Sequence, residues 1–421
     1  MITPETIQRI KDACHIEEVI GEFLMLRRRG TNYTACCPFH NERTPSFNVN
    51  PARNIFKCFG CGKSGDSISF LMEYQHLTYP EALRFLASKY NIEVEEEELS
   101  PEVKAMQYER DSMRHLVEFA QKYYADQLLS ADNSALRFFA DHSISKETLL
   151  QFGIGLAPQG GNTFVSHALA SGYSEAMLLK TGLALQTEES GLADAFVDRI
   201  IFPYSDAQHA SGFAALSLSE GNYIFSPASL LFKPAATFYG LTLSKGAVIK
   251  EDCCYMVADA FEVVSVAQSG ITNVITPFSQ PISDDQIRQL SRFSRNVTFL
   301  YPVANTYLHE AAKRLLLSGL HVRVVLLPGG ITADAYARQN GSTALQELAK
   351  EKPQNYVFFR INQLVQSMGS SMAQRNEAIR EMLTLLRFVS DELERNEYLG
   401  YCAQVLDLPE QTLRYELSRL N

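Results

Sequence analysis

The sequence predicts an α+β multidomain chain: a small metal-ribbon module, a mixed α/β core containing a parallel sheet, and a C-terminal helical bundle. Three observations carry this. Cys37-Pro38-Phe39-His40 is followed, 17 residues later, by Cys58-Phe59-Gly60-Cys61. From Ala247 onward, short apolar runs alternate with amphipathic stretches, the pattern of strand–helix repeats. From Gln354 to the end the pattern is helical throughout. At 421 residues the chain exceeds what one core supports, so two to four domains are expected.

The ribbon module is predicted from its ligands. Cys37, His40, Cys58 and Cys61 form a Cys₃His set, which suits tetrahedral Zn²⁺. Each pair is separated by two residues, so a tight turn brings both side chains to one ion. Gly60 suits such a knuckle because it has no Cβ. A structural zinc fixes a module too small to fold on its own core. The remaining cysteines are Cys14, Cys36, Cys253, Cys254 and Cys402. They show no second spaced pair and are expected to be buried or inert. Zinc thiolates with unpaired cysteines fit a reducing cytoplasm. No apolar run suits a signal core or a membrane span, so no membrane partner is expected.

Net charge is −10, which argues against a general affinity for nucleic acid. Local charge differs. Gly21 to Gly65 holds seven Lys/Arg against two acids. Glu93, Glu95, Glu96, Glu97, Glu98 and Glu102 then reverse the balance and read as a solvated linker. Polyanion contact is therefore expected on the ribbon module, through Arg27, Arg28, Arg29, Arg43, Arg53, Lys57 and Lys63. Tyr33, Phe47, Phe56 and Phe59 are either stacking faces for bases or the module's small core. Thr44 and Ser46 read as turn residues.

Element by element, Thr3 and Pro4 open the first helix, with Ile2 set to staple onto Ile7. A second helix is predicted over 16–23. Residues 33–36 form a strand entering the first ligand pair, and 46–49 with 54–57 form a hairpin that delivers Cys58. Two amphipathic helices follow, over 67–73 and 80–90. A long helix covers 101–129 and two more lie within 133–152. Strands over 199–204, 212–218 and 222–225 are expected in a mixed sheet. Apolar strands at 255–257, 274–276, 297–301 and 322–327, with helices at 262–269, 284–293 and 307–318, complete a parallel α/β unit. The expected division is 1–100, 101–245, 246–345 and 346–421.

The run Cys37-Pro38-Phe39-His40-Asn41-Glu42-Arg43-Thr44-Pro45-Ser46-Phe47, with Phe56-Lys57-Cys58-Phe59-Gly60-Cys61-Gly62 and Phe70-Leu71-Met72-Glu73-Tyr74, resembles the zinc domain of bacterial DNA primase. More weakly, Phe152-Gly153-Ile154-Gly155-Leu156-Ala157-Pro158 and Asp198-Arg199-Ile200-Ile201-Phe202-Pro203 resemble that family's polymerase core. Residues 247–340 resemble its TOPRIM domain. The resemblance implies a zinc-ribbon module, a primase core with a TOPRIM-like parallel sheet, and synthesis of RNA primers on single-stranded DNA. It adds Arg199 and Lys233 to the nucleic-acid-binding candidates.

At the catalytic positions this chain departs from the family. The family's Glu-Gly-Tyr reads Ala258-Asp259-Ala260, its Asp-Gly-Asp reads Pro302-Val303-Ala304, and its Asp-Pro-Asp reads Thr332-Ala333-Asp334. Its Lys-Tyr-Leu-Asn-Ser-Pro reads Asn222-Tyr223-Ile224-Phe225-Ser226-Pro227, and an early Arg-Gly reads His142-Ser143. Mg²⁺ or Mn²⁺ needs several oxygen ligands, which alanine and proline cannot supply. The remaining acid candidates are Asp334, Asp259 and Glu262, and the divalent ion is expected only if the chain is active. Two functions follow: a divergent primase, or a non-catalytic paralogue that binds DNA or another primase chain. Single-stranded DNA and replication proteins are the expected partners. Because the chain stops at Asn421, the family's usual helicase-binding domain is expected to be absent.

Overall fold

Thr3 begins the first helix, Pro4–Ala13, as its sequence suggests: its Oγ1 accepts from the Thr6 N–H at 3.2 Å, and Pro4 occupies the first helical position. A computed structural model describes all residues except 1, 41, 43, 76, 96–99, 131–132, 188–190, 207–208, 279–280, 370 and 421. It comprises two units, Met1–Gln107 and Tyr108–Asn421.

The first unit holds five short antiparallel strands in chain order: β1 (Arg27–Arg29), β2 (Asn32–Ala35), β3 (Phe47–Asn50), β4 (Ile55–Cys58) and β5 (Ser64–Gly65). Alternation in β3 and β4 sends Phe47, Val49, Phe56 and Cys58 inward. There Phe47 and Phe56 stack at 5.1 Å beside Phe70. A second small cluster joins Ile2, Ile10 and Val19 to the helices Ser67–Tyr74 and Tyr79–Lys89. Ile7 packs on that cluster with Ile2, which is the staple expected at the first helix. Glu95 of the acidic run belongs to the same unit, where it pairs with Arg9 at 3.1 Å; Glu96, Glu97 and Glu98 lie outside the described residues.

The helix Pro101–Leu129 begins in the first unit; its part in the second buries Met113, Leu116, Val117, Ala120, Tyr124 and Leu128, at helical spacing. Strand β6 (Gly155–Ala157) follows, then the separate hairpin β7 (Ala184–Thr187) and β8 (Gly191–Asp194). Next come β9 (Arg199–Asp206), β10 (His209–Ser217) and β11 (Tyr223–Phe225), giving a sheet of order β11-β10-β9-β6. Every pairing in it is antiparallel, where a mixed sheet was expected. The short links after β9 and β10 decide the β9–β10 and β10–β11 pairings, since a parallel neighbour needs a long crossover.

The six-stranded sheet adds β12 (Phe238–Tyr239), β13 (Cys254–Met256), β14 (Val274–Pro277), β15 (Asn296–Tyr301), β16 (His321–Leu326) and β17 (Gln354–Asn355). Its order is β12-β14-β13-β15-β16-β17. The four inner strands are parallel and the two outer ones antiparallel. Helices Ala260–Gln268, Asp284–Leu290 and Thr306–Leu317 make the crossovers and leave β13 and β14 fully buried. The carboxyl ends of the inner strands therefore share one edge, where open α/β sheets bind ligands. The helices Tyr356–Ser367, Met372–Leu386, Glu392–Leu406 and Glu410–Arg419 close the chain. Their Ile361, Leu386, Cys402 and Leu413 share a core with Val297 and Val322 of the sheet. Among the described residues, no helix is long and apolar enough to cross a membrane.

Candidate metal centre, nucleic-acid face and carboxylate site

The structure brings Cys37, His40, Cys58 and Cys61 together, with their ligand atoms all within 4.8 Å of one another. Cys37 Sγ and Cys61 Sγ lie 3.8 Å apart, as do Cys58 Sγ and His40 Nδ1. Tetrahedral Zn–S bonds of about 2.3 Å require sulfurs roughly 3.8 Å apart, so the donor set fits a structural zinc ion. Strand β4 positions Cys58, and the turn after it returns Cys61 to the same point. Phe39 N–H and Cys61 N–H donate to Cys37 Sγ and Cys58 Sγ, each at 3.4 Å, bonds that favour thiolates. Burial alone would raise the Cys58 thiol; hydrogen bonds from Ser46, Cys61 and Gly60 outweigh it and bring the pKa to about 6.

Glu42 organises this site, a role the sequence reading missed. Its Oε1 accepts from Cys37 N–H at 2.7 Å and Ser46 N–H at 3.0 Å; its Oε2 accepts from Ser46 Oγ at 2.6 Å. That same Oε2 lies 3.2 Å from His40 Nε2, so the carboxylate orients the imidazole while Nδ1 faces the sulfurs. Ser46, in turn, lies 3.2 Å from Cys58 Sγ, a ligand-supporting position beyond its turn role. The only signal was an acid two residues past a ligand histidine. Gly60 is required for space: a Cβ there would lie 2.6 Å from His40 Nε2. Left-handed backbone occurs instead at Gly62, with φ of 78°. Glu42→Ala is expected to weaken zinc affinity about 10- to 100-fold in a competition titration with a chromophoric chelator. An unchanged affinity would refute the orienting role.

The exposed sheet face carries the basic residues. Arg27, Thr34, Asn48, Lys57 and Ser64 are successive cross-strand partners and form one polar row across β1–β5. Arg29 shares the Arg27 face, whereas Arg28 points to the other, because side chains alternate along a strand. Phe59, 71% exposed with Lys57 Nζ 5.5 Å from its ring, extends this face as a stacking surface. Phe47 and Phe56 are core, and Tyr33 is half-buried. Lys63 pairs with Glu73 at 2.5 Å and lies over the Phe39 ring. Arg43 lies outside the described residues. In the second unit Arg199 is turned onto Asn222, donating to its Oδ1 at 2.9 Å, and Lys233 is exposed.

The three acid candidates each have structural partners. Asp259 caps the helix Ala260–Gln268, its Oδ1 accepting from Glu262 N–H at 2.9 Å and from Tyr223 O–H at 3.4 Å. Glu262 is buried, and its Oε1 accepts from Ala333 N–H at the start of the helix Ala333–Asn340. Burial, then the neighbouring Asp259, pushes its pKa up to about 8. Burial raises the Asp259 carboxyl as well. Asp334 accepts from Ser265 Oγ at 3.0 Å and Arg338 Nε at 3.0 Å, and lies 2.6 Å from His142 Nδ1. Ala258 and Pro302, beyond the ends of β13 and β15, offer no ligand. Among the described residues the cysteine–histidine quartet is the only group of three or more such side chains placed around one point. Of the remaining cysteines, Cys14, Cys254 and Cys402 are buried and Cys253 is half-buried, but Cys36 is exposed.

Comparisons agree with this architecture. Residues 2–102 match the CHC2 zinc finger, 123–245 the N-terminal domain of the DNA primase catalytic core, and 359–411 the DnaB-helicase binding domain of primase. The last match overturns the expectation that a helicase-binding domain is absent. Its residues fall on the helices from Tyr356 to Leu406, which share their core with the sheet, so no linker or change of composition announces it. The DNA primase of Geobacillus stearothermophilus is 30% identical over 432 residues, covering 99% of this chain and 72% of that protein. That of Clostridium acetobutylicum is 29% identical over 428 residues, covering 99% and 70%. Among solved structures, the zinc-binding and RNA polymerase domains of Aquifex aeolicus primase superpose with a TM-score of 0.62 at 27% identity, covering 97% of this chain and 98% of that one. By its zinc finger, its core and its relatives, this chain belongs to the bacterial DNA primase family.

Proposed function

We propose that this primase-family protein binds single-stranded DNA through its zinc module and does not itself join nucleotides. Zinc, held by Cys37, His40, Cys58 and Cys61, keeps the sheet in shape. Arg27, Arg29 and Lys57 pair with phosphates, and Phe59 stacks on a base. The remaining basic candidates, Arg28, Arg43, Lys63, Arg199 and Lys233, add weaker contacts.

The observation that carries the reading is the fate of the acids. Asp259, Glu262 and Asp334 are occupied by helix ends, Ser265, Arg338 and His142, which supports a chain without a catalytic divalent ion. Such a chain presents template to a catalytic primase or to other replication proteins in the cytoplasm. Its division into 1–100, 101–245, a TOPRIM-like 246–345 and 346–421 is part of the same proposal. The second reading is a divergent primase that uses Mg²⁺ or Mn²⁺, favoured by family similarity running along nearly the whole chain.

Primer synthesis decides between them. Purified protein is incubated with single-stranded DNA, ribonucleotides and Mg²⁺ or Mn²⁺. The expected result is no primer, alongside salt-sensitive DNA binding that weakens several-fold in Lys57→Ala and loses about one unit of salt slope. Primer made by the wild type and abolished by Asp334→Ala or Asp259→Ala would sink the non-catalytic reading.

A further inference from the structure

Where β6 stops covering β9, the second unit holds a cavity of about 310 Å³. The size lies within the range of small-molecule sites, roughly 300–1,000 Å³. Register explains its origin. Strand β6 pairs with β9 only from Arg199 to Ile201, so Pro203 and Ser205 lie on an open stretch of edge. The helix Lys146–Phe152 and the start of the helix Leu241–Glu251 also line the space. Strand addition is blocked there: Pro203 has no N–H, and Ser205 O already accepts from Thr242 Oγ1 at 2.9 Å. None of the lining residues comes from β13, β14 or the loops that follow them.

The lining offers two kinds of surface. Leu150 and Leu243, 62% and 45% exposed, provide an apolar part together with Pro203. Gln121, Gln151 and Ser205 provide a polar part. Among the described residues neither carboxamide has a hydrogen-bond partner, and neither does Ser205 Oγ. Gln121 is half-buried and Gln151 is exposed, so a ligand can reach both. Gly153 makes room for the first of them: its φ is 63°, and a Cβ there would lie 2.5 Å from Gln121 Nε2. Among the described residues that line the cavity there is no Lys, Arg, His, Asp or Glu.

These groups select among ligands. A charged ligand would leave water and meet no opposite charge in the lining. A hydrocarbon would strip water from the carboxamides and offer them no hydrogen bond. A carboxamide presents N–H donors and a C=O acceptor, the complement of another carboxamide. We propose that this cavity binds a small neutral molecule that carries a carboxamide on an apolar body. The carboxamide meets Gln121 and Gln151, and the body rests against Leu150 and Leu243. Such a ligand touches the helix Pro101–Leu129, the helix Lys146–Phe152, β9 and the helix Leu241–Glu251 at once. The site is independent of the zinc module and of the DNA-binding reading.

Saturation-transfer NMR titrations on the full chain test this, with benzamide as the probe, benzoate as its charged counterpart and toluene as its apolar one. Benzamide should bind with roughly millimolar affinity, the range open to so compact a ligand. Benzoate and toluene should bind several-fold more weakly. Two variants, Gln121→Leu and Gln151→Leu, keep side-chain bulk and remove the amide. Each should weaken benzamide about three- to tenfold, the worth of one hydrogen bond, and leave toluene binding no weaker. The ranking of the three probes on the wild type does not depend on either variant folding. If benzamide does not bind, or if benzoate or toluene binds as tightly, the proposal is overturned. It is overturned equally if both variants melt like the wild type and bind benzamide unchanged.

Discussion

Chelating the zinc, or replacing Cys58 with Ser, is expected to unfold the first unit and leave the second unit's thermal transition in place. The two clusters around Ile10 and Phe47 are small, and both ligand turns are anchored to the second of them. Apparent zinc-binding energies in such modules are about 10–16 kcal/mol, larger than any core this size supplies. The second unit has separate buried clusters around Phe213 and around Phe299. Calorimetry with and without chelator, paired with metal analysis, reads the outcome. Two transitions should become one, with DNA binding lost in parallel. A first unit that melts unchanged after zinc is removed would show that the ion does not hold this fold together.

Glu262→Gln is expected to stabilise the second unit, by an amount that grows with pH. The ordinary glutamate pKa is 4.5, and burial raises it in the folded chain to about 8. The folded state therefore binds this proton more tightly than the unfolded one. Its stabilising contribution is complete below about pH 4.5 and is lost as pH rises through about 8. A shift of one pKa unit is worth about 1.4 kcal/mol, so the native glutamate costs up to roughly 4 kcal/mol at pH 8. Glutamine keeps an oxygen to accept from Ala333 N–H and carries no charge into the buried site. Urea unfolding at pH 5, 6.5 and 8 should show near-equality at the first and a widening gain at the others. A gain that is flat with pH would refute a buried, neutral Glu262. In the native chain the resulting upward drift of stability toward acid is opposite to that of a carboxylate held by a cation.

Both predictions concern residues visible in the sequence, but they were legible to different degrees. The zinc quartet could be read directly because each pair spans a single turn, so spacing alone brings two ligands together. The parallel strands were readable for a similar reason: burial on both faces demands apolar runs such as Cys254–Met256. Strands of two residues, β12 and β17, carry no period and went unseen. Glu42 was visible only as one more acid, since its four roles depend on how the ligand loop folds back. The row Arg27–Lys57 required strand register, which separates Arg28 from its neighbours.

What the sequence by itself determined was which chemistry is available: a Cys₃His zinc set and a basic ribbon module, with the non-ligating Ala258 and Pro302 where the resemblance implies acids. Tertiary structure decided what became of the acids that remain. Asp334 meets His142 across 192 residues of chain, and Glu262 caps a helix 71 residues away. A carboxyl group's charge and partners are set by burial and by neighbours within a few ångströms. Folding brings those neighbours together from distant parts of the chain, and no local spacing encodes them.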